Sequence, residues 1–214
     1  MKIISTNIGE KTKIRWKGKE VLTGIYKYPV NECLTLSIAN VENDNVIDRK
    51  YHGGKDKACY IYSGLHYPDW KIKYPNLDWQ YGMFGENLTI SNFNESEINI
   101  GDIFKLGSAL VQITQPRQPC FKLGIRLNNS NAVKTFVNEE KPGAYVRIIE
   151  PGKVKTGDTM QLIEPKIDNF TLTEIFHFIY NATENIEQIK KAIKMPELAE
   201  SCRNDLIKYG KLSV

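Results

Sequence analysis

Ile100-Gly101-Asp102-Ile103-Phe104-Lys105-Leu106 and, further along, Thr156-Gly157-Asp158-Thr159-Met160-Gln161-Leu162 follow one plan: a Gly-Asp turn launches a strand of alternating character. The aspartate closes its own turn in this reading, so the echo is structural and carries no chemistry. The same texture extends in both directions. Val21-Leu22-Thr23, Leu34-Thr35-Leu36-Ser37-Ile38, Cys59-Tyr60-Ile61-Tyr62, Leu110-Val111-Gln112-Ile113, Ala144-Tyr145-Val146-Arg147-Ile148-Ile149 and Met160-Gln161-Leu162-Ile163 all read as short strands. Gly and Pro punctuate them, with further turns at Gly53-Gly54 and Pro151-Gly152. Helix is expected only around residues 66–74 and 132–140 before Pro165. Many short strands without regular intervening helices predict a mainly β fold, a barrel or folded sandwich.

Beyond Pro165 the texture turns helical. Thr171-Leu172-Thr173-Glu174 fits a capping box, and Leu172, Ile175, Phe176 and Ile179 follow helical spacing. Ile186, Ile189 and Ile193 mark a second helix. Pro196 suits the first position of a third, with Leu198, Cys202, Leu206 and Tyr209 as its apolar stripe and Gly210 past its end. Two units are expected: a β domain over residues 1–165 and a small three-helix domain over 166–214.

The 214 residues are 41% hydrophobic and 25% charged, which excludes a disordered chain and leaves ample material for a core. No apolar run is long enough to span a bilayer, and Met1-Lys2-Ile3-Ile4-Ser5-Thr6 lacks the apolar segment of a secretory signal; a cytoplasmic protein without membrane contact is expected. Cys33, Cys59, Cys120 and Cys202 are far apart with no CxxC, so they read as free thiols, and the three histidines fit no zinc spacing with them. The net charge of +4 resides in residues 1–165, with 22 Lys+Arg against 18 Asp+Glu, while 166–214 holds 7 of each. A nucleic-acid reader would carry cations on its helices, so the neutral tail argues against one. Lys11, Lys13, Arg15, Lys17 and Lys19 alternate with other residues and, on one strand, would share a face. A solvated edge that blocks aberrant pairing is favoured over a phosphate contact.

Three polar clusters carry possible chemistry. In Arg49-Lys50-Tyr51-His52-Gly53-Gly54-Lys55-Asp56-Lys57-Ala58, paired glycines allow backbone N–H groups to cradle an anion beside Lys55 and Lys57, and His52 titrates near neutrality. The pattern serves equally as a Gly-Gly turn with exposed lysines. In Gly82-Met83-Phe84-Gly85-Glu86-Asn87-Leu88-Thr89-Ile90, Asn87 and Glu86 either face a pocket or stabilise the turn. In Gln115-Pro116-Arg117-Gln118-Pro119-Cys120-Phe121-Lys122, two prolines stiffen a loop that presents a thiol near two cations. Such a setting favours thiolate, which serves as nucleophile, redox sulfur or soft metal ligand.

Taken in order, His52-Gly53-Gly54-x-Asp56-Lys57-Ala58, Tyr62 through His66-Tyr67-Pro68 to Trp70, Phe84-Gly85-Glu86-Asn87-Leu88-Thr89 and the 115–120 stretch resemble the MOSC family, the molybdenum cofactor sulfurase C-terminal domains. Thr23-Gly24-Ile25 with Pro29-Val30 fits the start of that pattern, and Gly157-Asp158 its end. The helical tail resembles the "3-alpha" domain of the family's YiiM-like branch of 6-N-hydroxylaminopurine resistance proteins. The resemblance implies a MOSC-type β-barrel that binds the pterin-based molybdenum cofactor. It places Cys120 as the ligand to molybdenum and implies reduction of N-hydroxylated compounds, hydroxylaminopurines among them, to amines. Arg117, Lys57 and Lys122 are candidate anchors for the cofactor's anionic group, with Gly53, Gly54 and Asn87 beside them. His52 or Asp56 is the candidate proton relay. The sequence has no GxGxxG motif and no iron–sulfur cysteine cluster, so electrons are expected from a separate reductase. The competing reading is a non-catalytic carrier of the cofactor or its sulfur.

Overall fold

The computed structural model describes residues 1–47 and 53–212. The strands are β1 (Ile3–Gly9), β2 (Thr12–Trp16), β3 (Lys19–Thr23), β4 (Lys27–Val30), β5 (Leu34–Ser37), β6 (Asn40–Val41), β7 (Cys59–Ser63), β8 (Leu88–Ile90), β9 (Ile103–Leu106), β10 (Ala109–Pro116), β11 (Ala144–Glu150), β12 (Gly152–Val154) and β13 (Met160–Glu164). The helices are α1 (Tyr67–Lys73), α2 (Phe121–Arg126), α3 (Ala132–Glu139), α4 (Leu172–Tyr180), α5 (Ile186–Ala192) and α6 (Glu200–Tyr209).

Eight strands form the principal sheet in the order β13-β9-β10-β11-β7-β8-β1-β4, antiparallel except for the parallel pair β7–β8. The repeated Gly-Asp turns feed β9 and β13, which lie side by side with Met160 opposite Leu106. In both turns the aspartate accepts a backbone N–H three residues upstream: Asn99 on Asp102 at 2.9 Å and Lys155 on Asp158 at 2.9 Å. Gly101 and Gly157, at φ 93° and 96°, occupy the left-handed region that these turns require.

The expected barrel is corrected to a mixed α/β fold with a sheet-rich core, because the sheet does not close. β1 pairs with β8 through Ile3 to Thr6 on one side and with β4 through Thr6 to Gly9 on the other. Only the start of β1 therefore remains for β13. There a single bridge, Lys2 opposite Thr159, and the bonds Ile3 N–H to Asp158 O (2.9 Å) and Met160 N–H to Met1 O (3.0 Å) draw the sheet's ends together.

The cationic stretch 11–19 is a hairpin instead of one strand. Lys17 and Gly18, at φ 48° and 76°, reverse the chain and place Lys19 opposite Trp16. Positive φ at both central residues is the turn geometry whose twist matches paired strands. In the tail, the Thr171–Glu174 capping box forms in full. The third helix, however, starts at Glu200 with Ala199 as its cap, so Pro196 lies in the preceding turn and Leu198 before the helix. Leu172, Ile175, Ile179, Ile189 and Leu206 of the tail are buried in one cluster with Phe104, Val111 and Ile113 of the sheet, so tail and sheet share a core. A second, aromatic cluster joins Tyr60, Tyr62, Trp70, Phe84, Phe136 and Tyr145. No described helix is long and apolar enough to cross a membrane.

Candidate functional site

β10 ends at Pro116, and α2 begins at Phe121 with Cys120 as its cap in extended conformation. The intervening loop projects Arg117 and Cys120 into a cavity of about 620 Å³, including its solvent-open mouth. Five of the residues singled out from the sequence, Lys57, Asn87, Arg117, Cys120 and Lys122, line it together. They come from three separate segments, so the fold gathers what the chain disperses.

Arg117 is 4% exposed, and its guanidinium carbon lies 5.3 Å from the Tyr60 ring and 5.2 Å from the Phe136 ring. Its Nη1 is buried without a hydrogen-bond partner. A buried cationic donor left unpaired is costly. Lys57 stands 5.9 Å from the Tyr145 ring, and burial pulls its pKa below the ordinary lysine value. Cys120 is partly exposed, whereas Cys59 and Cys202 are buried and burial pushes Cys202 up to about 12. Among the four thiols, Cys120 is the one that lines this cavity.

Asn87 has a supporting role in the wall. Its Nδ2 donates to Asp44 Oδ2 at 3.0 Å, and its Oδ1 accepts the Tyr60 N–H at 3.2 Å. Asp44 also accepts the Gly9 N–H at 3.0 Å and pairs with Lys27, both ions being almost wholly buried. Gly24 makes this wall possible: a Cβ there would lie 1.7 Å from the Asn45 carbonyl oxygen. The neighbouring Glu86 is buried under four donors, the Tyr67 hydroxyl, the Gly82 and Phe84 N–H groups and the Thr89 hydroxyl, so it closes the 82–86 turn. Of this second cluster, Asn87 reaches the cavity lining and Glu86 builds the turn beneath it.

The remaining expectations sort differently. His52 lies outside the described residues. Asp56 is committed to Arg147 through contacts of 2.7 and 2.8 Å, and it is not among the described lining residues. Gly53 and Gly54 are likewise not among them; Gly54, at φ 94°, opens the short turn closed by the Lys57 N–H on Gly54 O. Sequence reasoning missed Tyr60, Tyr145 and the Lys27–Asp44 pair, all of which line the cavity. Tyr145 alternates with the core-facing Ala144, Val146 and Ile148 and shares the strand face of Arg147, so its burial was not legible from the strand pattern. Burial first, against the opposing pull of Arg117, pushes its hydroxyl up to about 12, so it keeps its proton at neutral pH. Tyr60 is likewise raised by burial, but its hydroxyl is occupied by Pro142 O at 2.8 Å. Among the described residues no three His, Cys, Asp or Glu side chains cluster as a metal-binding group.

Comparison with known proteins gives the chain's family. The MOSC domain pattern matches residues 48–161, the span that contains the three polar clusters. Over 206 residues, 96% of this chain and 93% of the other, it is 32% identical to protein YflK of Bacillus subtilis. A protein of Gibberella moniliformis named "Reductase" is 30% identical over 84% of this chain, which spans only 32% of that longer protein. The crystal structure of YiiM from Geobacillus stearothermophilus superposes with a TM-score of 0.82 at 29% identity, covering 98% of each chain.

Proposed function

Since this chain belongs to the MOSC domain family, on its YiiM-like side, we propose that its cavity holds a pterin-type molybdenum cofactor and that the protein reduces N-hydroxylated compounds to amines. The observation that carries the reading is that Arg117, a nearly buried cation, and the Cys120 thiol line the same cavity. The donor set fits the group. A metal held mainly by its cofactor's own sulfurs needs one soft protein donor, and the cofactor's phosphate needs a bidentate cation. Cys120 would supply the first, and Arg117 with Lys57 and Lys122 the second. When bound, the cofactor would supply a two-electron redox centre.

The overall change is R–NH–OH with two electrons and two protons to R–NH2 and water. Tyr145, which lines the cavity and keeps its proton at neutral pH, would hydrogen-bond the substrate's N–OH group and hold it in place. The aromatic wall formed by Tyr60, Phe84 and Tyr145 suits a planar base and limits water around the reacting nitrogen. Electrons would come from a separate reductase. A longer relative, of which this chain spans 32%, is named "Reductase", which is consistent with redox chemistry in a protein that carries this domain.

The test is anaerobic turnover of a hydroxylaminopurine by cofactor-loaded protein with a reduced viologen as donor. The proposal expects the amine as product and its loss in Cys120→Ala. Loaded protein that turns over no N-hydroxylated compound would overturn it in favour of a carrier.

A further inference from the structure

The end of β10 and the loop after it, which bears Arg117 and Cys120, are tied to the last helix and its cap at three points. β10 slips register against β11 between Ile113 and Gln115, a bulge that takes Thr114 out of the ladder. The freed Thr114 carbonyl accepts the Ala199 N–H at 3.1 Å. One residue on, the Ser201 hydroxyl donates to Gln115 Oε1 at 2.9 Å. Inside the loop itself, Gln118 Nε2 donates to Asp205 Oδ2 at 2.8 Å. Residues 199, 201 and 205 thus follow the chain from the end of the strand to the loop, one helical turn spanning the last two.

We propose that Ser201 and Asp205 of α6 are positioning residues that fix the pose of the 117–120 loop, so that the helical tail forms part of the site. Gln118 lies between the two residues on which the proposed function depends. A side chain anchored there limits rotation of the loop on both sides, and the flanking Pro116 and Pro119 leave it few other degrees of freedom. Asp205 also acts on Lys57, another of the cations that line the cavity: burial lowers the Lys57 pKa, while Cys202, Asp205 and Asp56 oppose that shift. The inference takes its functional weight from the reading of Cys120 as the working thiol. Its test reads thiol accessibility in cofactor-free protein, so failure of one leaves the other standing.

The experiment is timed iodoacetamide labelling of the full chain, followed by peptide mass spectrometry. The rate at Cys120 is divided by that at exposed Cys33, which lies outside the cavity lining. Asp205→Ala and Gln118→Ala should each raise the ratio about threefold or more as the loop gains freedom. Asp205→Asn, whose amide oxygen still accepts the Gln118 N–H, should stay near wild type, which a general loss of packing would not produce. An unchanged ratio in Gln118→Ala, or an Asp205→Asn ratio as high as that of Asp205→Ala, overturns the proposal. If Asp205→Ala fails to fold, Gln118→Ala decides alone.

Discussion

The Arg117 guanidinium lies over the face of Tyr60, 5.3 Å from carbon to ring centroid, with Nη1 buried and unpaired. An aromatic face supports the charge without neutralising it, so the cation stays available to an anion. This predicts an unusual pairing of effects for Arg117→Met. Unfolding in urea should show stability equal to or above wild type, because a buried cation with no carboxylate partner among the described residues is removed. Binding of inorganic pyrophosphate by calorimetry should weaken about tenfold or more.

Lys57 predicts a pH limb. Burial lowers its pKa from 10.5, so it loses its proton earlier on the alkaline side than an exposed lysine. Only the protonated form attracts an anion, so pyrophosphate affinity should fall as pH rises through that lowered pKa. In Lys57→Arg the limb should move beyond the accessible range, and in Lys57→Met it should vanish along with part of the affinity. Titrations over an alkaline pH series check the sign.

The Lys27–Asp44 pair predicts a stability asymmetry. Asp44→Ala leaves Lys27 buried without its counter-ion and should cost about 3–5 kcal/mol in denaturant unfolding. Adding Lys27→Met should recover part of the loss, with the Gly9 and Asn87 donors still unsatisfied.

Gly24 predicts a packing failure in the cavity wall. A Cβ 1.7 Å from the Asn45 oxygen forces the two wall segments apart, so Gly24→Ala should cost about 1–3 kcal/mol and weaken pyrophosphate binding. Paired denaturation and calorimetry read both effects.

What the sequence made legible was local. The Thr171 capping box and the two Gly-Asp turns are decided within four residues, and each formed as read. The polar clusters were legible as clusters, and the fold brings Lys57, Asn87, Arg117, Cys120 and Lys122 to one cavity. Partnerships made at long range were not legible. Asp56 was a candidate proton relay, but Arg147, 91 residues away, takes it. Lys27 and Asp44 sit in unremarkable stretches and acquire meaning only once the β1 and β8 segments draw Gly9 and Asn87 against them. The open sheet was hidden for the same reason: which strand claims the second edge of β1 is a tertiary choice.

Molybdenum and released pterin, measured in protein made in a host with verified cofactor synthesis beside Cys120→Ala made identically, test the central claim most directly. The account predicts near-stoichiometric metal and pterin in the wild type and loss of the metal in the variant. Equal metal in both would contradict Cys120 as the ligand, and its absence from both would contradict the molybdenum cofactor as the occupant of this cavity.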